Sequence, residues 1–274
     1  IGVFGGTYTG TAVQGNTIRF NQNGVSVNVR AGGGAFSGLS LGGTNTEANP
    51  VGNTITQNSL DGVLVNAGTY TSTFVRGNTI TANGRNGVNL LATFGEKMTG
   101  LQVGGTTTTV ANTITGNAAS GIAASKGDYS STAILGNTIG TNRVGVSLVD
   151  VQNLNIGGVA TAFKNTISGN TETGLLATGN LAGTLVRGNS LATNPVGVSL
   201  QDAQSFGLGG SAAGSGNSIT GGTTGVRAVG NLSGTTIAGN TVTGQTTAGR
   251  PRLSATGPAT TWPRPCTASM PQDR

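Results

Sequence analysis

Residues 53–65 read NTITQNSLDGVLV, and 25 positions later residues 78–90 read NTITANGRNGVNL. Both lines carry an Asn, a hydroxyl residue and an Ile, then a second Asn five residues after the first, then a Gly that opens a short aliphatic run. In Thr79-Ile80-Thr81, and again in Val146-Ser147-Leu148, apolar and polar side chains alternate. A period of two is the signature of a strand with one buried face. With Ile55 inward, Asn53 lies on the same inner side, and Thr54 and Thr56 point out.

Working outward, the motif Asn-(Thr/Ser)-(Ile/Leu/Val) recurs at Asn16, Asn53, Asn78, Asn112, Asn137, Asn165, Asn189, Asn217 and Asn240, with steps of 37, 25, 34, 25, 28, 24, 28 and 23 residues. Long and short steps alternate, so the repeating unit is a pair of coils with periods of 62, 59, 52 and 51 residues. Eight or nine residues after each Asn comes a Gly, followed in all but the last coil by an aliphatic, as at Gly24-Val25, Gly87-Val88 and Gly174-Leu175. Long coils run on to a Gly-Gly step (Gly42-Gly43, Gly104-Gly105, Gly157-Gly158, Gly209-Gly210) and a variable loop, while short coils carry Thr-x-(Val/Ile), as in Thr184-Leu185-Val186. Three short strands per coil, tight turns and no helical pattern define one turn of a parallel β-helix. The expected fold is therefore an all-β solenoid of about nine coils in alternating long and short pairs, a rod of roughly 45 Å at ~4.8 Å per coil.

Stacking in register places Asn on Asn. Each amide then donates to one neighbouring coil and accepts from the other, which removes a burial cost of about 1–3 kcal/mol per orphaned polar group. A second column is expected at Asn21, Asn58, Asn83, Asn117, Asn142, Asn170 and Asn194, broken at Gly222 and Gln245. We read the Asn residues as a structural ladder.

The two quoted lines resemble the coil consensus of the right-handed parallel β-helix repeat family, which includes pectate-lyase-like enzymes, mannuronan epimerases and many large secreted repeat proteins. The resemblance covers residues 1–249 and is specific for fold, not activity. It implies a right-handed coil, as crossover connections generally prefer, and a secreted or cell-surface location.

Among 274 residues there are 50 Gly, no His and one Cys, and 8 % are charged. No imidazole-based catalytic set, internal disulfide or cysteine zinc site can be built, and no cofactor is implied. No apolar run reaches the length of a membrane span. Of the net charge of +6, residues 1–249 carry +3 (ten Lys/Arg against seven Asp/Glu) and residues 250–274 the other +3. The cations are scattered, without the basic stripe and stacking aromatics of a nucleic-acid groove, so nucleic acid is not an expected partner. Five of seven Pro, the only Trp (Trp262) and the only Cys (Cys266) fall in residues 251–271, so 250–274 is expected to be a disordered, Pro/Arg-rich tail outside the repeat. The opening GTYTGTAVQGN aligns with GTYTSTFVRGN at 68–78, so the chain begins in mid-coil, as a piece of a longer array would.

Enzymes on this scaffold gather carboxylates on one face. Asp150 and Asp202 occupy equivalent places one coil pair apart, about 10 Å, near the spacing of an inverting pair. Their neighbours Gln152 and Gln204 are equivalent too, so repeat inheritance is the simpler reading. Asp61 falls in a turn, and Glu47 and Glu96 in loops. The residue clusters of epimerases, polygalacturonases and pectate lyases are not recognisable, and Arg76 and Arg187 are four coils apart. No catalytic or metal-ligating residue is assigned. The step Gly32-Gly33-Gly34 is a loop rather than a phosphate cradle, and Asn231-Leu232-Ser233 is a formal glycosylation sequon.

One regular surface remains. Thr54/Thr56, Thr79/Thr81 and Thr113/Thr115 are outward pairs that resemble the Thr-x-Thr face of solenoid ice-binding proteins, although Thr is also a favourable exposed strand residue, and Arg19, Gly140 and Ala192 interrupt the array. The expected function is a non-catalytic structural or adhesive segment of a secreted or surface repeat protein, whose partners are polysaccharide or cell-surface components. The alternative is a carbohydrate-active or carbohydrate-binding module, a lyase or hydrolase if catalytic, with a shallow groove lined by the long-coil loops. Ice binding is the third reading.

Overall fold

A computed structural model describes residues 1–28, 35–43, 51–93, 95–107 and 110–246, the side chains of residues 9 and 10 excepted. The expected tail at 250–274, the Gly32–Gly34 step and Glu47 lie outside the described residues. Each coil gives one strand to each of three sheets, and all three are nine-stranded and parallel. In chain order the first sheet begins with Gly2–Phe4, the second with Gly6–Val13 and the third with Thr17–Arg19. The third-sheet strands are the Asn-Thr-Ile repeats, as in Thr54–Thr56, Thr79–Thr81 and Thr113–Thr115. A 3-10 turn lies at Thr161–Phe163 in a long-coil loop. Among the described residues no helix is long and apolar enough to cross a membrane.

Register is exact in the third sheet because period-two alternation leaves no other way to keep the aliphatics inside. Ile18, Ile55, Ile80, Ile114, Ile139, Ile167, Leu191, Ile219 and Val242 pair coil to coil in one column. The column from Ile55 to Ile219 is fully buried. Leu41, Val75, Val103, Ile134, Ile156, Val186 and Leu208 form the matching column of the second sheet. Each such side chain contributes about 1.5–3 kcal/mol by leaving water. Near the first coils the core is widened by a stack of Tyr8, Phe36 and Tyr70, with ring centroids 5.7 and 5.3 Å apart.

Both ladders form. From Asn16 to Asn240 each Nδ2 donates to the Oδ1 of the next Asn, at 2.8–3.1 Å throughout. The same Nδ2 also reaches back to a carbonyl of the preceding coil, as from Asn137 to Val103 O at 3.0 Å. The second ladder runs from Asn21 to Asn194 at 2.9–3.2 Å. It ends where Gly222 removes the amide, and Gln245 instead donates to Gly221 O at 3.0 Å. The turn glycines after the second ladder are there because the coil closes tightly: a Cβ on Gly87 would lie 2.4 Å from Ile114 Cγ2 and 2.7 Å from Gly121 O.

A third column, not evident from the repeat, joins Asn23, Asp61, Asn86 and Ser120. Asn23 Oδ1 accepts the Asp61 N–H at 3.2 Å, Asp61 Oδ1 accepts the Asn86 N–H and Nδ2, and Asn86 Oδ1 accepts the Ser120 N–H at 3.1 Å. Asp61 thus occupies an Asn position. Its buried carboxylate is balanced by Arg85, which binds both oxygens, and by Asn89 Nδ2 at 2.9 Å. Burial pushes its acid upward, but the Arg85 and Asn89 hydrogen bonds and the Arg85 charge outweigh it and hold the carboxyl below the usual range.

Candidate functional site

The long-coil loops leave the solenoid between the second and third sheets, and they therefore recur every second coil along one edge. Loops 105–111 and 158–164 flank the short coil whose third-sheet strand is Thr138–Gly140. Loop 105–111 is pinned by Val110, which is buried against Gly105, and by the Gly77 N–H donating to Val110 O at 2.9 Å. Loop 158–164 is closed by its 3-10 turn, with the Phe163 N–H on Ala160 O and the Lys164 N–H on Thr161 O. Gly136 forms the floor between them. Its N–H donates to Phe163 O at 3.2 Å, its φ is +64°, and a Cβ there would lie 2.1 Å from Gly105 O. Only Gly fits under those constraints.

The result is an open groove of about 540 Å³. It is lined by Thr106, Thr107 and Ala111 from one loop, Thr161, Ala162 and Lys164 from the other, and Thr113, Gly136, Asn137, Thr138 and Thr166 beneath. Six of these eleven residues are Thr, one is a cation and none is an acid. Thr113, Thr138 and Thr166 are adjacent members of the outer third-sheet column, in register. Lys164 is exposed and forms no ion pair among the described residues. Chemically the groove offers hydroxyl donors and acceptors with one ammonium: it can bind a polyhydroxylated ligand, and it has no carboxylate to act as acid or base.

The expected outward Thr residues do come together. Thr54, Thr79 and Thr113 are exposed in one column, and Thr56, Thr81 and Thr115 are half-buried in the next. The first column continues from Thr17 to Thr241 with a hydroxyl residue in all nine coils. Asp150 and Asp202 lie elsewhere, at the edge between the first and second sheets, separated by the strand Thr173–Asn180. Both adopt left-handed backbone (φ 54° and 51°) and turn their carboxylates onto the next coil, where Oδ1 accepts the Asn180 N–H at 3.0 Å and the Asn231 N–H at 2.8 Å. Facing glycines make room, since a Cβ on Gly179 or Gly230 would stand 2.1 Å from the Asp oxygen. At the same edge Asp128 accepts from Ser130 and Asn153, and these bonds hold its carboxyl below the ordinary value. Among the described residues no cluster of three or more acidic or thiol groups is placed to hold a metal ion.

Lys164, Thr106, Thr107 and Thr161 escaped sequence reasoning because they sit in loops of unequal length, where no repeat register identifies them. The available signal was their place between the Gly-Gly step and the next ladder Asn, in the variable loops that long coils alone carry.

A three-sheet parallel β-helix with amide ladders and a loop-walled edge groove is the class these observations define. The chain belongs to the right-handed β-helix region family, whose model matches residues 2–191. No curated protein matches the chain. Among solved structures it is similar to the A-module of the Azotobacter vinelandii mannuronan C-5 epimerase AlgE6 (14 % identity, 88 % of this chain and 58 % of that one, TM-score 0.47). It is also similar to a mutant of the periplasmic alginate epimerase AlgG (14 %, 83 % and 47 %, TM-score 0.46) and to PfbA, a surface adhesin of Streptococcus pneumoniae (10 %, 87 % and 82 %, TM-score 0.31). The chain thus spans about half the length of the two epimerase structures.

Proposed function

We propose that this chain is a carbohydrate-binding β-helix module that holds a polysaccharide without cleaving it, serving a secreted or cell-surface protein as an adhesive segment. The observation that carries this reading is the groove between loops 105–111 and 158–164, with six Thr, Lys164 and no acid. Hydroxyl groups in a fixed row pair with sugar hydroxyls, whereas hydrolysis or elimination needs a positioned acid and base. The candidate carboxylates of Asp150 and Asp202 already serve the backbone of the next coil. Affinity electrophoresis of the chain through gels containing alginate, pectate, cellulose derivatives or chitosan tests the reading. Retardation by at least one polymer is expected, weakened several-fold by Thr138→Val and Lys164→Ala, with no new reducing or unsaturated ends after incubation with or without calcium. Turnover that disappears in Asp150→Asn or Asp202→Asn would replace binding by catalysis.

Ice binding is favoured by one observation, the unbroken outer hydroxyl column of the third sheet. The loops beside Thr113, Thr138 and Thr166 make that part of the edge a groove rather than a plane.

A further inference from the structure

The groove floor is not unique to Gly136. Gly77, Gly136 and Gly188 belong to successive short coils, and each donates its N–H to a carbonyl of the following long-coil loop: Val110 O at 2.9 Å, Phe163 O at 3.2 Å and Ser215 O at 3.1 Å. The close approach of the loops also repeats. A Cβ on Gly136 would stand 2.1 Å from Gly105 O and 3.1 Å from Ala162 O, and one on Gly188 2.0 Å from Gly158 O and 3.0 Å from Gly214 O. Two residues after each of these glycines comes an outward hydroxyl, at Thr79, Thr138 and Ser190, and all three belong to one register column. One coil lies between each pair. The glycine floors therefore recur every two strand spacings, about 9.6 Å, over roughly 19 Å of a hydroxyl-bearing edge.

We infer that this edge is a ruler for an extended β-1,4-linked polysaccharide lying parallel to the solenoid axis, with every second sugar seated in a slot between long-coil loops. The inference rests on the carbohydrate-binding reading and specifies its ligand. In an extended β-1,4-linked chain successive pyranoses alternate in orientation, so the same edge of the polymer returns after two sugars, a distance close to two coil steps. An α-1,4-linked glucan curls away from a straight row and engages one slot at a time. Only a chain that keeps step with the loops gains from each further slot, because later contacts are intramolecular once the first has formed.

Isothermal titration of the whole chain with cello-oligosaccharides and oligomannuronates of two to six sugars, with malto-oligosaccharides of equal length as comparators, tests this. The expected result is an affinity that rises at least threefold from two to three sugars and again from four to five, with little gain at four and six, for a β-1,4-linked series only. Thr138→Tyr, on an exposed position whose fold is checked by circular dichroism, should fill the central slot and reduce the six-sugar ligand to the affinity of the two-sugar one. Equal gain for every added sugar, or equal binding of the malto series, would overturn the ruler while leaving carbohydrate binding intact. Absence of binding by every oligomer and by every polymer in the gels would overturn both.

Discussion

Replacing Asn137 by Ala removes one rung from the middle of the first ladder, and the structure sets the cost. The Asn137 Nδ2 donates to Val103 O at 3.0 Å, Leu135 O at 3.1 Å and Asn165 Oδ1 at 3.0 Å, while its Oδ1 accepts from Asn112 Nδ2 at 2.9 Å. All four partners lose a hydrogen bond at a site that is 1 % exposed. An amide carries two protons, so the three donations amount to two full bonds; with the one accepted, at about 1 kcal/mol for each net bond, the expected destabilisation is ~3 kcal/mol, rising if the cavity stays dry. Asn137→Asp keeps the shape but cannot donate, so at neutral pH it turns a carboxylate toward three oxygens, and it should cost more than Ala. Acid should relieve that excess. Asn16→Ala is the control, because Asn16 is exposed and donates only to Gln14 O and Asn53 Oδ1, and its cost should stay near 1 kcal/mol. Urea unfolding followed by far-ultraviolet circular dichroism, with hydrogen exchange of the Asn112 and Asn165 coils, measures all three. A solenoid loses stability through nearest neighbours, so exchange should accelerate first in those two coils. An Asn137→Ala variant within 1 kcal/mol of the parent would refute the claim that the ladder holds the coils together.

Ile80→Asp puts a charge between Ile55 and Ile114 at a fully buried position, and it should cost more than ~4 kcal/mol and abolish the cooperative thermal transition; an unchanged melting curve would mean the inward column is misassigned. Because the Asp61 acid is held below its unfolded value of 3.8, its contribution is present above that pH and is lost as pH falls through the lower, folded value. Asp61→Asn, which restores the residue type of Asn23 and Asn86, should flatten stability between pH 4 and pH 2, and an identical acid slope in the variant would assign that slope to other groups. Thr81→Tyr and Thr115→Tyr should leave folding within ~1 kcal/mol of the parent and leave ice growth unaltered, whereas thermal hysteresis in the parent that both changes abolish would establish the ice-binding reading.

What the sequence determined by itself is the part of the molecule governed by repetition. Period-two alternation around Ile55 and Ile80, a Gly at a fixed offset and Asn at a fixed recurrence leave one way to bury aliphatics while pairing every amide, so fold, coil count and both ladders were legible before any coordinate. Position within a coil also sufficed to pair Asp150 with Asp202 and to align the outward Thr residues. The tertiary structure decided what does not repeat. Asp61 reads as an isolated acid in a turn until stacking sets it between Asn23 and Asn86, with Arg85, 24 residues away, across its carboxylate. Lys164 and Thr106 reach one groove only because loops of unequal length fold back over the glycines of the coil between them, and loop length shifts sequence spacing without shifting the strand spacing that fixes where the side chains meet.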